Sequence, residues 1–169
     1  DNVGGHFFPV STGDSAGNLY IAFSLRLGGQ TETHVYLIAS SDHGLTWTKP
    51  SQVDQDGLDS NVFPWIVAGD PGRVAVIWYG SRAKDSNDKK AKWATMFAQS
   101  LDALSTTPHF TQSRVSGSES VHDKDVCLAG TFCTITQGNR SLAAFIMIDL
   151  DPKGFAPDPK SVRSGKGVG

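Results

Sequence analysis

The sequence predicts an all-β fold, a partial β-propeller of two four-stranded antiparallel blades plus one strand of a third. Three observations predict it. A Phe-Pro pair recurs after 55 residues, at Phe8-Pro9 and Phe63-Pro64, and periods in this range are typical of propeller blades and other repeat arrays. Segments rich in Val, Ile, Phe, Trp, Tyr and Thr alternate with turn residues and show no sustained helical period. Residues Ser40–Trp47 read S-x-D-x-G-x-T-W, a tight turn between extended segments.

Bulk properties bound the class of protein. The 169 residues suggest one domain or a piece of one, and residues 1–169 are interpreted as a single propeller fragment. The net charge of −2 is spread along the chain, so no basic stripe indicates a nucleic-acid partner. The longest apolar run, Leu142–Ile148, is far too short for a membrane span. The chain begins at Asp1 without a signal-peptide pattern, as expected of a mature secreted protein or an excised piece.

The first blade is predicted over residues 7–53. Its strands are expected at about Phe7–Thr12, Asn18–Leu25, Thr33–Ala39 and Trp47–Val53. These segments are rich in β-branched and aromatic residues and are bounded by Gly, Asp, Asn and Pro, which is typical of strands. The run from Val35 to Ile38 is apolar on both faces, the pattern expected of a strand that lies between two neighbouring blades.

The second blade is predicted over residues 62–115 by the same pattern. Its strands are expected at about Val62–Ala68, Arg73–Tyr79, Lys92–Gln99 and Phe110–Val115. Ser100-Leu101-Asp102 follows the third strand as Ser40-Ser41-Asp42 does in the first blade. A worn copy of the eight-residue motif is therefore expected at the corresponding hairpin.

The rest of the chain is predicted to begin a third blade without completing it. A long loop at 116–143 leads to one expected strand at 144–150. Residues 151–169 are predicted to form an irregular tail, because their prolines and glycines oppose another strand. Closed propellers have about four to eight blades. The open blade edges therefore indicate that other chains, or missing blades of the same protein, cover them.

The eight-residue motif has a mechanical explanation. A carboxylate in a tight turn accepts N–H bonds from the residues that follow, and Asp42 stands in that position. Gly44 can take a positive φ without steric cost, and Trp47 supplies a large apolar side chain as the next strand begins. The structural set is Ser40, Asp42, Gly44, Thr46 and Trp47. A plain hairpin turn with a chance tryptophan is the alternative.

Strand parity assigns the long polar loops to one face of the fold. In an up-and-down blade the first and third turns share a face, so the other loops gather opposite them, at 26–32, 54–61, 80–90 and 116–140. Long loops without their own structure are often functional or mobile. Ligand sites gather where such loops converge, so this face is predicted to carry the binding site.

Three residues of this face are candidate ligand-binding groups: Arg82, His122 and Arg140. Guanidinium groups clamp carboxylates, as an acidic sugar requires, and an imidazole titrates near neutral pH and serves acid–base work or ligand binding. Arg26 shares the face by parity. Solvated surface side chains are the alternative for each of them, and the pattern assigns no catalytic residue.

Cys127 and Cys133 stand six residues apart in the long loop. A disulfide, as in extracellular proteins, is favoured, and two free thiols or half of a metal site are the alternatives. Asn139-Arg140-Ser141 is a glycosylation sequon, which has meaning only in an exported protein.

One acidic turn is a candidate calcium site. Asp54, Asp56 and Asp59 place three carboxylates close together in the chain, and hard carboxylate oxygens are the ligands that Ca²⁺ prefers. The full EF-hand pattern is absent, so a solvated acidic turn is the alternative. No other cofactor is expected.

The segment Ser40–Trp47 matches the Asp-box, and the chain resembles the BNR/Asp-box exo-α-sialidase-like β-propeller family of bacteria and archaea. The resemblance covers most of Asp14 to Gly154 and is carried also by Phe63–Gly80, by Val121-His122, Cys127 and Cys133, and by Arg140-Ser141-Leu142. Sialidases of this kind use an arginine triad, a Tyr–Glu nucleophile pair and an Asp acid/base. That constellation does not map onto this chain, and Ala144 stands where the family pattern has an acid before its Phe.

A disulfide between Cys127 and Cys133 would fit a secreted, extracellular protein. The incomplete repeat and the missing constellation favour a non-catalytic structural module, or one that binds a glycan or a protein surface. The alternative is part of a glycoside hydrolase of the exo-α-sialidase type that acts on terminal acidic sugars, which would rest on fold analogy alone.

Overall fold

A computed structural model of the protein describes residues 9–55, 57–128, 132–135, 138–142 and 146–150. Within these ranges the fold is all-β, with two antiparallel sheets and one short helix. Several predicted features fall outside them: the start of the first strand at Phe7, Asp56 of the acidic turn, Ala144 and Phe145, and the tail at 151–169.

The first sheet contains four strands in chain order. They are β1 Val10–Gly13, β2 Leu19–Leu25, β3 His34–Ser40 and β4 Ser51–Gln52. Buried and half-buried residues alternate along β2 and along most of β3, because successive side chains of a strand point to opposite faces. One face of this sheet therefore belongs to the core, and the other is half-exposed.

The fourth strand is shorter than the predicted Trp47–Val53. Pro50 has no N–H to donate to a ladder, and the regular pairing with β3 covers Ser51 and Gln52 alone. Single backbone hydrogen bonds continue the contact on either side, from Thr48 to the Ala39 carbonyl at 2.9 Å and from Val53 to the Val35 carbonyl at 2.8 Å.

The second sheet contains five described strands instead of the expected four. They are β5 Ser60–Ala68, β6 Val74–Ser81, β7 Lys92–Ser100, β8 Thr111–Arg114 and β9 His122–Asp123. The strand β8 pairs with Met96–Gln99, and β9 pairs with Lys92 and Trp93 along the same edge of β7. The sequence placed β9 in a loop. It forms because β7 has nine residues and β8 has four, so β8 leaves the first backbone groups of β7 without partners.

The long predicted loop also contains a single turn of helix. The helix α1 spans Phe132–Ile135. It lies after Cys127 in the chain and contains Cys133. Among the described residues, no helix combines the length and the apolar character needed to cross a membrane.

The two sheets pack face to face around a shared core. One buried cluster combines residues of β2 and β3 with residues of β5, β6 and β7. Its largest members are Tyr20 and Leu37 from the first sheet and Trp78 from the second, all at most 1% exposed. Hydrophobic burial between two sheets is the main stabilising contribution in such folds, so the sheets form one structural unit.

The predicted strand at 144–150 is not found in its described part. Ile146–Leu150 has no regular secondary structure, although Ile146 and Ile148 pack on the far face of the second sheet, against Ala75, Ile77 and Phe97. A strand exists through hydrogen bonds to a neighbour, and no strand of the described chain lies beside this segment. Its apolar residues therefore cover a sheet face without forming a ladder.

The short turns at one end of the sheets are joined by a buried carboxylate. Asp14 Oδ2, in the β1–β2 turn, accepts hydrogen bonds from the Tyr20 hydroxyl at 2.6 Å and from the Gly72 N–H at 3.1 Å, the latter in the β5–β6 turn. Burial opposes the ionisation of Asp14, but the bonds from Tyr20, Asn18 and Gly72 together outweigh it and lower its pKa to about 2. This turn contact holds the sheets together opposite the long loops.

Candidate functional site

A groove of about 680 Å³ opens at the end of the second sheet where its long loops meet. We call it the strand-end groove. It lies between the end of β6, the start of β7 and the loop that follows β8. Its lining includes the apolar Leu58, Ala94 and Met96 and six charged residues, namely Arg82, Asp88, Lys90, Lys92, Arg114 and Glu119. Four of the six are cations, so the rim carries an excess of positive charge.

The loop between β6 and β7 is held by short local hydrogen bonds. Asp85 Oδ1 accepts from the Asn87 N–H at 2.9 Å, and Asp88 Oδ1 accepts from the Lys90 N–H at 2.8 Å. Such aspartate turns form because a short carboxylate reaches the backbone two residues on. These aspartate turns fix the backbone around Lys90. Beside Arg82, the Ser81 hydroxyl accepts a hydrogen bond from the Ala83 N–H at 3.2 Å.

Arg114 organises the opposite rim. Its Nη2 donates to the carbonyls of Ser118 at 3.0 Å and Glu119 at 2.8 Å, and its Nε donates to the Ser116 hydroxyl at 3.3 Å. These bonds fold the loop after β8 around the guanidinium group. No ion pair of Arg82, Lys90, Lys92 or Arg114 is found within the described ranges. Within the described ranges, no salt-bridge partner therefore neutralises these four positive charges.

The floor of the groove is apolar and tightly packed. Trp93 is fully buried and donates its indole N–H to the Lys124 carbonyl at 2.8 Å. Gly80 leaves room for Leu58, because a Cβ at position 80 would lie 2.6 Å from Leu58 Cδ1. A larger residue at position 80 would push Leu58 out of its place in the wall.

The structure places the three candidate ligand-binding residues in different surroundings. Arg82 is exposed and lines the groove. His122 lies in β9, outside the lining, with Nε2 at 3.4 Å from both the Asp125 carbonyl and Asn139 Nδ2. Arg140 is exposed, lies outside the lining as well, and donates from Nη1 to the Thr134 hydroxyl at 3.3 Å. The structure does not bring the three into one cluster, and Arg114 joins Arg82 instead.

Cys127 and Cys133 form a disulfide with their Cα atoms 5.9 Å apart. The Cys127 N–H donates to the Asn139 carbonyl at 2.7 Å, and the Gly138 N–H donates to the Cys133 carbonyl at 2.8 Å. The disulfide therefore connects α1 to Cys127, and the two backbone hydrogen bonds hold the segment of Gly138 and Asn139 beside it. It lies away from the residues that line the groove.

The hairpin at Ser40–Trp47 is closed by its own aspartate. Asp42 Oδ1 accepts from the Ser40 hydroxyl at 2.7 Å and the Thr46 N–H at 2.9 Å, and Oδ2 accepts from the Thr46 hydroxyl at 2.6 Å. The bonds from Thr46 and then Ser40 lower the pKa of Asp42 to about 2. Gly44 has φ of 89° and accepts the Trp47 indole N–H at 3.1 Å. Trp47 is 39% exposed, so it covers the turn and is not the buried plug that its size suggested.

The worn copy of the motif uses its aspartate in a related way. Asp102 Oδ1 accepts from the Ser100 hydroxyl and from the His109 N–H, both at 2.9 Å. The His109 ring Nδ1 lies 2.9 Å from Asp102 Oδ2, where Thr46 stands in the first hairpin. Both aspartates therefore accept hydrogen bonds within their own hairpins.

The predicted calcium site is not assembled as the acidic pattern suggested. Asp54 is 2% exposed, and both of its carboxylate oxygens already have protein partners. Oδ1 accepts the Val35 N–H, and Oδ2 lies against His34 Nδ1 and the Asn61 amide. An aspartate so occupied cannot offer an open oxygen to Ca²⁺ without losing those bonds. Asp56 lies outside the described residues, and no group of three or more potential metal ligands is found among the residues that the structure describes.

Sequence reasoning missed His34 and Asn61. His34 Nδ1 lies 2.7 Å from Asp54 Oδ2, and Asn61 bridges Asp54 to the indole N–H of Trp78 at 2.8 Å. No spacing signal joins them, because they lie 20 and 7 residues from Asp54 on different sheets. The pairing of His34 with the buried Asp54 can be recognised only from the folded structure.

Comparison of the sequence with models of protein families and with curated proteins finds no match in either.

Proposed function

We propose that this chain is a segment of a secreted, sialidase-like β-propeller and that it binds acidic glycans in the strand-end groove as a non-catalytic module. The observation that carries the proposal is the charge of the groove. Four exposed cations face two exposed acids there, on a chain whose net charge is −2. A local field opposite in sign to the whole chain attracts acidic ligands.

The shape of the groove supports a sugar-sized ligand. Its volume of about 680 Å³ lies within the range of about 300–1,000 Å³ that is usual for small-molecule sites. An apolar floor with polar groups at the rim suits a pyranose ring, which has apolar C–H faces and hydroxyl edges. Arg82 then supplies the planar fork that pairs with a carboxylate or sulfate.

The propeller interpretation is supported by one similarity between the sheets and by the way they pack. Both sheets carry a Ser-x-Asp hairpin after their third strand, at Ser40–Asp42 and Ser100–Asp102. Both also pack face to face through one core, as neighbouring blades do. The disulfide Cys127–Cys133 and the absence of a membrane-crossing helix from the described ranges are compatible with secretion.

Removing the Arg82 guanidinium tests the proposed site. Arg82→Ala is expected to weaken binding of sialyllactose about tenfold or more, because a charge-assisted hydrogen bond contributes roughly 1.5–3 kcal/mol. Binding is measured by isothermal titration calorimetry, with lactose as the uncharged ligand. Arg73→Ala is the matched control. Arg73 is also exposed but lies at the other end of β6, roughly 30 Å away by strand rise.

Three results would contradict the proposal. Equal affinity for lactose and sialyllactose would remove the acidic-ligand claim, and equal loss in both arginine variants would remove the assignment to the groove. Release of 4-methylumbelliferone from its sialoside by the purified chain would instead support the glycoside hydrolase.

A further inference from the structure

Asn61 connects a buried acid of the first sheet to the wall of the strand-end groove. His34 Nδ1 lies 2.7 Å from Asp54 Oδ2, and the Asn61 amide donates to the same oxygen at 2.8 Å and to the Leu58 carbonyl at 2.9 Å. We infer that the protonation of the His34–Asp54 pair controls the position of Leu58, so that ligand binding in the strand-end groove depends on pH. The part of this inference that concerns binding rests on the proposed function of the groove.

Leu58 is placed where a small movement changes the groove. It lines the groove beside Gly80, and its Cδ1 comes so close to the Gly80 backbone that a Cβ there would lie at 2.6 Å. The same hypothetical Cβ would lie 3.0 Å from Asn61 Oδ1. Leu58, Gly80 and Asn61 therefore form one tightly packed wall, in which Asn61 cannot shift without affecting its neighbours.

The orientation of the Asn61 amide is set by its partners. Asn61 Oδ1 accepts the Trp78 indole N–H at 2.8 Å, so the NH₂ group must face the other way. Its two hydrogens are shared among Asp54 Oδ2, the Leu58 carbonyl and, at 3.3 Å, the Thr33 carbonyl. With more acceptors than hydrogens, the distribution depends on which acceptor is strongest.

An ionised Asp54 is the strongest of the three acceptors. Its Oδ1 accepts the Val35 N–H at 2.7 Å, and its Oδ2 faces His34 and Asn61. Once the carboxylate takes up a proton it accepts more weakly and must itself donate. The Asn61 hydrogens are then expected to shift toward the carbonyls of Leu58 and Thr33.

Burial moves the protonation of Asp54 into the mildly acidic pH range. Desolvation raises the pKa of Asp54 to about 6, and the hydrogen bond and charge of His34 oppose that rise. His34 is partly exposed, with 24% of its side chain accessible, so protons reach the pair from solvent.

Two titratable groups beside the pair, Glu32 and Tyr36, keep their protonation state in this range. Glu32 precedes β3, backbone hydrogen bonds lower its pKa, and Lys84 Nζ stands 3.9 Å from its carboxylate. Tyr36 lies on β3, and burial followed by the charge of Asp54 raises its pKa. Asp59 approaches through its backbone carbonyl, which accepts the Thr33 N–H at 2.8 Å. Gln52, from β4, is uncharged and donates to the Asp54 carbonyl at 2.8 Å.

Nuclear magnetic resonance tests the network without any ligand. The Trp78 indole N–H and the Leu58 methyl resonances are followed from about pH 5 to about pH 7.5, and both are expected to titrate with one midpoint near the pKa of about 6. Asp54→Asn is expected to abolish this shared transition. His109→Gln is the matched control, because His109 also pairs with a carboxylate, Asp102 at 2.9 Å, but at the far end of the sheet.

A second variant keeps the test decisive if Asp54→Asn does not fold. His34→Gln is expected to move the shared midpoint to higher pH, because the hydrogen bond and charge of His34 oppose protonation of Asp54. A midpoint unchanged in His34→Gln would overturn the inference. So would a Leu58 resonance that does not titrate with Trp78, or a transition lost equally in His109→Gln.

Binding is then measured with a sulfated disaccharide, whose charge is constant over this range. Affinity of the wild type is expected to fall about fivefold as the pH decreases from about 7.5 to about 5, because about fivefold is the smallest effect usual for coupled sites. The decrease should vanish in Asp54→Asn. No binding at any pH, with the resonance transition intact, would remove the proposed function and leave the network in place. Binding without pH dependence would overturn the regulation.

Discussion

Replacing Trp78 with alanine should lower the free energy of unfolding by about 4 kcal/mol, the usual cost of deleting a fully buried large aromatic side chain. Trp78 is 0% exposed and belongs to the core that both sheets share. Its loss leaves a cavity between the sheets and removes the indole donor at 2.8 Å from Asn61 Oδ1. Both effects destabilise the contact on which the two sheets depend.

Urea denaturation followed by circular dichroism measures the Trp78→Ala effect. Trp47→Ala is the matched control: Trp47 is 39% exposed, and the expected loss is about 1 kcal/mol. Trp78→Phe keeps most of the volume and should cost less than Trp78→Ala, since it removes chiefly one hydrogen bond. Similar losses for the two alanine variants would mean that the sheets do not share a core at Trp78.

Replacing Asp14 with alanine should lower the free energy of unfolding by about 3 kcal/mol at neutral pH, because it leaves buried donors without an acceptor. The Tyr20 hydroxyl and the Gly72 N–H would both lose Asp14 Oδ2, and the Ala16 N–H would lose Oδ1. Two bonds would still join the sheets there: the Ser15 N–H to the Gly69 carbonyl at 2.9 Å and the Gly72 N–H to the Tyr20 hydroxyl at 3.1 Å.

The Asp14 effect should also depend on pH in a definite direction. Hydrogen bonds hold the pKa of Asp14 at about 2 against the opposing effect of burial, below the unfolded value of about 3.9. A depressed pKa contributes stability above the unfolded value, and this contribution is lost as the pH falls toward about 2. The difference between wild type and Asp14→Ala should therefore shrink in acid, as urea denaturation at several pH values can measure.

Asp70→Ala is the control for Asp14→Ala. Asp70 lies in the β5–β6 turn, as Asp14 lies in the β1–β2 turn. It is 62% exposed and approaches Arg73 at 3.6 Å, a pair of a kind that contributes little at a surface. A loss for Asp70→Ala as large as that for Asp14→Ala would show that the turn contact has no special role.

Much of the fold could be predicted from local patterns. The segments from Leu19 to Leu25 and from Val74 to Ser81 are strands, as their β-branched and aromatic residues indicate. The turn chemistry was also local: Asp42 reaches Ser40 and Thr46, two and four residues away. Interactions of this kind depend on neighbours in the chain, so the sequence contains the information needed to predict them.

Strands at sheet edges were predicted less well. The strand β4 stops short because Pro50 cannot donate, and β9 exists because β7 extends beyond β8. The segment Ile146–Leu150 has strand-like residues, but the described chain offers it no neighbour. Whether an apolar segment becomes a strand depends on which backbone groups remain unpaired nearby, and one-dimensional patterns do not report that.

Local patterns were enough to predict the all-β class, the hairpin built on Asp42 and the end of the sheet at which Arg82 lies. The folded sheets were needed to show that Arg114 accompanies Arg82 and that His122 and Arg140 lie elsewhere. They were also needed to show that His34, Asp54 and Asn61 form one buried network. The difference arises from the range of the interactions. Turns and strand alternation arise between residues close in the chain, whereas a groove and a buried acid depend on sheets that meet only when the chain folds.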